Sequence, residues 1–125
     1  MIRNEQKSVF AAEKLRQFEA RIATKLRREY PKRFGDSTSE EMAGFYTAVM
    51  ARASEWRING EGATTVLFEL CAEYGLRFER APDAAWAETI LAHPQLPDHI
   101  RVSVVRDRFW GRQQGREIVE EQPLA

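Results

Sequence analysis

The side chains in this sequence that could make or break bonds are few, and their spacing suits none of the common chemistries. Cys71 is the only cysteine, and His93 and His99 are the only histidines. A thiol nucleophile needs a base within reach. Cys71 instead lies in the apolar run Val66-Leu67-Phe68-Glu69-Leu70-Cys71-Ala72, where a cysteine reads as a small buried hydrophobe. The two histidines flank Pro94 and Pro97 and have no cysteine pair to complete a zinc site. Glu69 and Glu73 fall one helical turn apart, as a solvated helix face would place them, and Glu40-Glu41 sits where a helix start attracts negative charge. Gly60-Glu61-Gly62 lacks the third glycine of a dinucleotide fingerprint, and no lysine follows it as in a phosphate-binding loop. None of the serines stands in a nucleophile elbow. The expectation is a protein that is not an enzyme, with no catalytic residue, no metal ligand and no cofactor.

Binding chemistry is better represented. Phe109 and Trp110 are adjacent, and Arg106, Arg108 and Arg112 surround them. Aromatic side chains mixed with arginine are the composition of interface hot spots. Neighbouring residues on a helix point about 100° apart, so the two rings do not easily share one core, and core and interface both stay open for them. A second candidate is basic. Between residues 14 and 33 there are eight lysines and arginines against Glu19 and Glu29. Within that stretch Arg21, Lys25, Arg28 and Lys32 can form a stripe. The candidate partner-binding residues are therefore Phe109, Trp110, Arg106, Arg108, Arg28 and Lys32. Over the whole chain 19 bases balance 19 acids, and no stacking aromatic interleaves with the basic stripe. Both observations speak against nucleic acid as the partner and favour protein.

The elements that must position these residues read as helices. Ala11, Leu15, Phe18, Ile22 and Leu26 recur at steps of three and four and predict a long first helix over residues 5–30, stopped by Pro31. Thr38 or Ser39 caps a second helix carrying Met42, Phe45, Tyr46, Val49, Met50, Ala53 and Trp56 to about Arg57, with Asn59-Gly60-Glu61-Gly62 as its glycine stop. Thr64 or Thr65 opens a third, ended by Gly75. A short fourth follows Pro82-Asp83 with Trp86, Ile90 and Leu91 on one face, and a last segment begins at Pro97-Asp98. Ile100, Val102 and Val104 there alternate like a strand, while Ile100, Val104 and Val105 fit a helix. With no second alternating run to pair with, helix is favoured and strand stays open. The expectation is an all-α fold, a single compact domain of about five helices over residues 1–112, followed by a polar tail over 113–125. An apolar share of 43% is close to the globular norm and lets 125 residues build a core without disulfide staples. The polar opening Met1-Ile2-Arg3-Asn4-Glu5-Gln6-Lys7 has no apolar signal region, and no run approaches a membrane span. A cytoplasmic protein without a membrane partner is expected.

The string Tyr74-Gly75-Leu76-Arg77-Phe78-Glu79, followed by Ala85-Trp86-Ala87-Glu88-Thr89-Ile90-Leu91, resembles a family of small helical bacterial proteins encoded beside type VI secretion genes. The opening Met1-Ile2-Arg3 with Gln6, and the Tyr30-Pro31 that follows the long helix, are similar to the same family over roughly the first hundred residues. The resemblance implies an accessory role, as adaptor or co-chaperone when an effector is loaded onto the secretion spike. The implied partners are an effector, a PAAR spike-tip protein or an adaptor chaperone, with self-association open. It supplies no catalytic residue. The Phe109-Trp110 segment lies outside the shared pattern. A second reading of the same composition is an immunity protein that binds and neutralises a cognate toxin.

Overall fold

The computed structural model describes the backbone of residues 4–121 and the side chains of residues 12–111. Every regular element among them is helical: α1 (Asn4–Glu29), α2 (Pro31–Phe34), α3 (Ser39–Glu55), α4 (Glu61–Tyr74), a single 3₁₀ turn (Phe78–Arg80), α5 (Ala85–Leu91) and α6 (Asp98–Glu121). The all-α expectation holds, and the undecided last segment is helix. Its helical backbone runs on to Glu121, so the boundary expected at residue 113 falls inside α6. None of the described helices is long and apolar enough to cross a membrane.

Packing gathers the chain into two units, one through Ala48 and one from Val49 onward. In the first, Phe18, Ile22 and Leu26 form the buried seam of α1, and Met42 on α3 is buried with them. The Phe18 and Tyr46 rings stand 6.3 Å apart. Leu15, expected on the same seam, is 55% exposed. Pro31 ends α1 as expected but then serves as the first residue of α2, where its missing N–H costs nothing. Phe34 at the end of α2 is buried and meets the Phe45 ring at 4.9 Å. Arg27 donates from Nη1 to the Phe34 carbonyl at 3.1 Å, tying this turn to α1. Thr38 caps α3 reciprocally. Its Oγ1 accepts from the Glu41 N–H, and Glu41 Oε1 accepts from the Thr38 N–H, each at 3.1 Å.

In the second unit α4 and α5 both pack on α6. Leu67, Phe68, Leu70 and Cys71 from α4, Ala87 and Leu91 from α5, and Val102 and Val105 from α6 are all buried. Cys71 is thus the small core side chain its neighbours suggest. Gly75 ends α4 at a φ of 101°, a conformation that L side chains rarely adopt. The end of α3 departs from the sequence expectation. Arg57, at φ 54°, takes the left-handed position usually given to glycine. Ile58 N–H then reaches the Ala53 carbonyl and Arg57 N–H the Ser54 carbonyl, which is a Schellman closure. The buried contact that accompanies this closure is supplied by Ile58 and Ala53. Gly60 consequently does not stop α3 but stands at the N-cap of α4. Thr64 and Thr65 lie inside α4, their hydroxyls donating to the Gly60 and Glu61 carbonyls one turn back.

Candidate protein-binding surface

The position of α6 is set at its first turn. Asp98 does more than begin its own helix: Oδ2 accepts from the Asn59 N–H at 3.0 Å and the Gly60 N–H at 2.7 Å, while Oδ1 accepts from the His99 N–H at 2.7 Å. The carboxylate therefore satisfies amide groups at the start of α4 that have no helical acceptor. Arg101, only 6% exposed, makes the complementary contact with carbonyls. Its Nε donates to Leu96 O at 3.0 Å, Nη1 to Trp56 O at 2.6 Å and to Leu91 O, and Nη2 to Arg57 O at 3.1 Å. Those acceptors include the orphan carbonyls beyond α3 and at the end of α5, and guanidinium geometry can serve several of them at once. Neither role is visible in local sequence. The one hint is a charge inside the run Ile100-Arg101-Val102.

The Gly60 amide, with smaller help from the Asn59 and His99 amides and the Arg101 charge, outweighs partial burial and holds the Asp98 carboxyl below the usual carboxylate range. A carboxyl depressed in the folded state contributes stability above its unfolded value of about 3.9, and that contribution disappears as pH falls through the lower folded value. Thermal melts of the wild type and Asp98→Asn should therefore differ at pH 7 and converge below about pH 3. A constant difference down to the lowest pH would show that the Asp98 charge plays no part.

Held this way, α6 turns Val102, Val105 and Phe109 toward the core. Phe109 is half-buried among three rings: Tyr74 at 4.9 Å, Trp86 at 5.2 Å and Phe78, edge-on, at 5.7 Å. Trp86 is fixed in turn by its indole N–H, which donates to the Asp83 carbonyl at 2.7 Å. Asp83 presents that carbonyl from a left-handed φ of 65°. The Arg108 guanidinium lies over the Trp86 ring, 4.2 Å from its centre, a cation–π contact on the rim of the cluster. Burial, with a smaller contribution from the Glu73 charge, pushes the Tyr74 phenol up, so it stays neutral. Trp56, expected in the core, is buried there, whereas Trp86 is only partly covered.

Trp110, one residue further, is 60% exposed. Ile100 and Val104, which one reading of the periodicity assigned to a buried face, are also exposed, at 40% and 37%. Arg106 stands near Trp110 in the helix with Nε 3.8 Å from Asp107 Oδ1, both side chains largely in solvent. The six candidate residues therefore divide. Trp110, Arg106 and Arg108 share the outer part of α6, and Phe109 anchors that stretch from the core side. Arg28 and Lys32 belong to the other unit, both exposed, with Arg28 3.8 Å from Glu29. No family model, curated protein or solved structure matches this chain. The residues suited to chemistry are not gathered: Cys71 is wholly buried, and His93 and His99 are exposed. Among the described residues no group of three or more His, Cys, Asp or Glu side chains could hold a metal ion.

Sequence reasoning missed one further feature. Glu79, 4% exposed, pairs with Arg52 on α3, and the Arg52 guanidinium also lies 4.4 Å from the centre of the Trp56 ring. Both partners bring one polar atom, Glu79 Oε2 and Arg52 Nε, that finds no hydrogen bond. This ion pair fastens the 3₁₀ turn to α3. Such pairs form across long stretches of sequence and leave no periodic signature.

Proposed function

We propose that this chain is a non-enzymatic accessory protein, an adaptor or co-chaperone, that acts by binding another protein through the outer face of α6. The observation that carries this reading is Trp110: a large indole, 60% exposed, beside a ring cluster that holds its helix rigid. An exposed tryptophan with arginines nearby has the composition of an anchor that gains its energy by entering a partner's pocket. Ile100 and Val104 extend the apolar part of that face.

The resemblance carried by Tyr74-Gly75-Leu76-Arg77-Phe78-Glu79 and Ala85-Trp86-Ala87-Glu88-Thr89-Ile90-Leu91 supports a partner from type VI secretion: an effector, a PAAR spike-tip protein or an adaptor chaperone. On this reading the two resembling strings shape the fold, since Tyr74, Phe78 and Trp86 hold Phe109, and Trp110 supplies partner contact. Co-expression of the tagged chain with each protein encoded beside it tests the reading. Retention of one effector, spike-tip protein or chaperone through purification is expected. Retention of none of them would refute the assignment.

A further inference from the structure

We propose that the cleft between α1 and α3, a surface separate from the α6 face, is a docking groove for an acidic amphipathic helix of a partner protein. The cleft has a volume of about 290 Å³. Ile22, Leu26 and Met42, all buried, form its floor. Ala20, Ala23 and Ala43 line its upper walls, Ala20 and Ala43 exposed. Three alanines in place of longer side chains keep the slot open and let another backbone approach closely. Its lining on α1 extends from Arg16 to Arg27, about 16 Å at 1.5 Å per residue. That is three helical turns, the length over which a bound helix offers apolar anchors at i, i+3 or i+4, and i+7.

Charge selects the kind of helix. Arg16 and Arg27 stand on the rim, and Arg27 is held in place by the Phe34 carbonyl. They belong to the stretch of residues 14–33 in which eight bases face two acids. The acids closest in the two walls, Glu19 on the rim and Glu40 and Glu41 at the start of α3, are fewer than these bases. A helix with leucines on one side and glutamates on its flanks meets apolar floor and cationic rim together. This inference rests on the chain being a protein binder, and it assigns the basic element that Arg28 and Lys32 belong to a part in steering the partner.

The test is fluorescence anisotropy with the full-length chain and a labelled peptide of about 18 residues, leucines on one helical face and glutamates elsewhere. Two controls are a peptide with lysines for glutamates and a scrambled Leu/Glu peptide. The Leu/Glu helix should bind saturably, weaken with salt, and exceed both controls by at least about tenfold. Ala23→Trp, which fills the slot, and Arg16→Glu, an exposed charge reversal that leaves the core alone, should each weaken it by at least about tenfold, whereas Trp110→Ala should not. Equal binding of all three peptides, or no saturable binding, would overturn the proposal. So would self-association of the chain that Ala23→Trp abolishes, since a second copy would then be the occupant. Sensitivity to Trp110→Ala with indifference to Ala23→Trp would leave the α6 reading standing and remove the groove.

Discussion

Arg101→Ala is expected to be among the most damaging single substitutions in this protein, lowering stability by about 4 kcal/mol. Hydrogen bonds from a charged donor contribute about 1.5–3 kcal/mol, and buried acceptors left without a donor cost about 1–3 kcal/mol. Arg101 serves four carbonyls, those of Trp56, Arg57, Leu91 and Leu96. These contributions do not simply add, because the loops relax and water reaches some of the carbonyls. For a chain of this size the loss corresponds to a fall in Tm on the order of 15 °C. Arg101→Lys should recover only part of it, since an ammonium cannot fork between several acceptors. Chemical denaturation of the three proteins measures this directly. A loss below about 1 kcal/mol for Arg101→Ala, the range of an ordinary substitution, would mean the carbonyls are served otherwise.

Arg52→Ala is expected to cost about 3–5 kcal/mol, the penalty for breaking a buried ion pair from one side. The effect arises from what is left behind: Glu79, almost wholly buried, loses its only hydrogen-bonded cation. Arg80 offers little in exchange, with Nε at 4.0 Å and its side chain 69% exposed. The double substitution Arg52→Met with Glu79→Leu should restore most of the stability, because an apolar replacement of a whole buried pair is often neutral or stabilising. Equilibrium unfolding of the two single mutants and the double mutant gives the coupling energy. Strict additivity of the two single losses would show that the residues act independently.

These two interactions mark where the sequence stops being legible. Local patterns carried the helices well: the three-and-four spacing of Phe18, Ile22 and Leu26, the Thr38–Glu41 cap, and Gly75 at the end of α4 can all be read over one or two turns. The close of α3 could not, because the rule looks for glycine and Arg57 takes the left-handed position instead. Its carbonyl is held by Arg101, 44 residues away in the sequence. Arg52 and Glu79 are likewise 27 residues apart. Pairings of that range follow from tertiary geometry, which periodicity does not encode. The same limit explains Leu15, which continues the apolar repeat of α1 yet is left exposed. At the candidate surface, the 100° step between neighbours correctly implied that Phe109 and Trp110 face different ways. Which of them faces outward depended on α6 being anchored through Asp98 and Arg101.

The most direct measurement is calorimetric titration of wild type, Trp110→Ala and Phe109→Ala with the protein that co-purifies, alongside each variant's Tm. Trp110→Ala should keep the wild-type Tm to within about 0.5 kcal/mol of stability, as surface substitutions do. Its affinity should fall by at least about tenfold, or 1.4 kcal/mol. Phe109→Ala should instead melt early, losing about 3 kcal/mol with its place among Tyr74, Phe78 and Trp86. A Trp110→Ala variant that binds as tightly as wild type but melts as early as Phe109→Ala would contradict the assignment of α6's outer face to a partner.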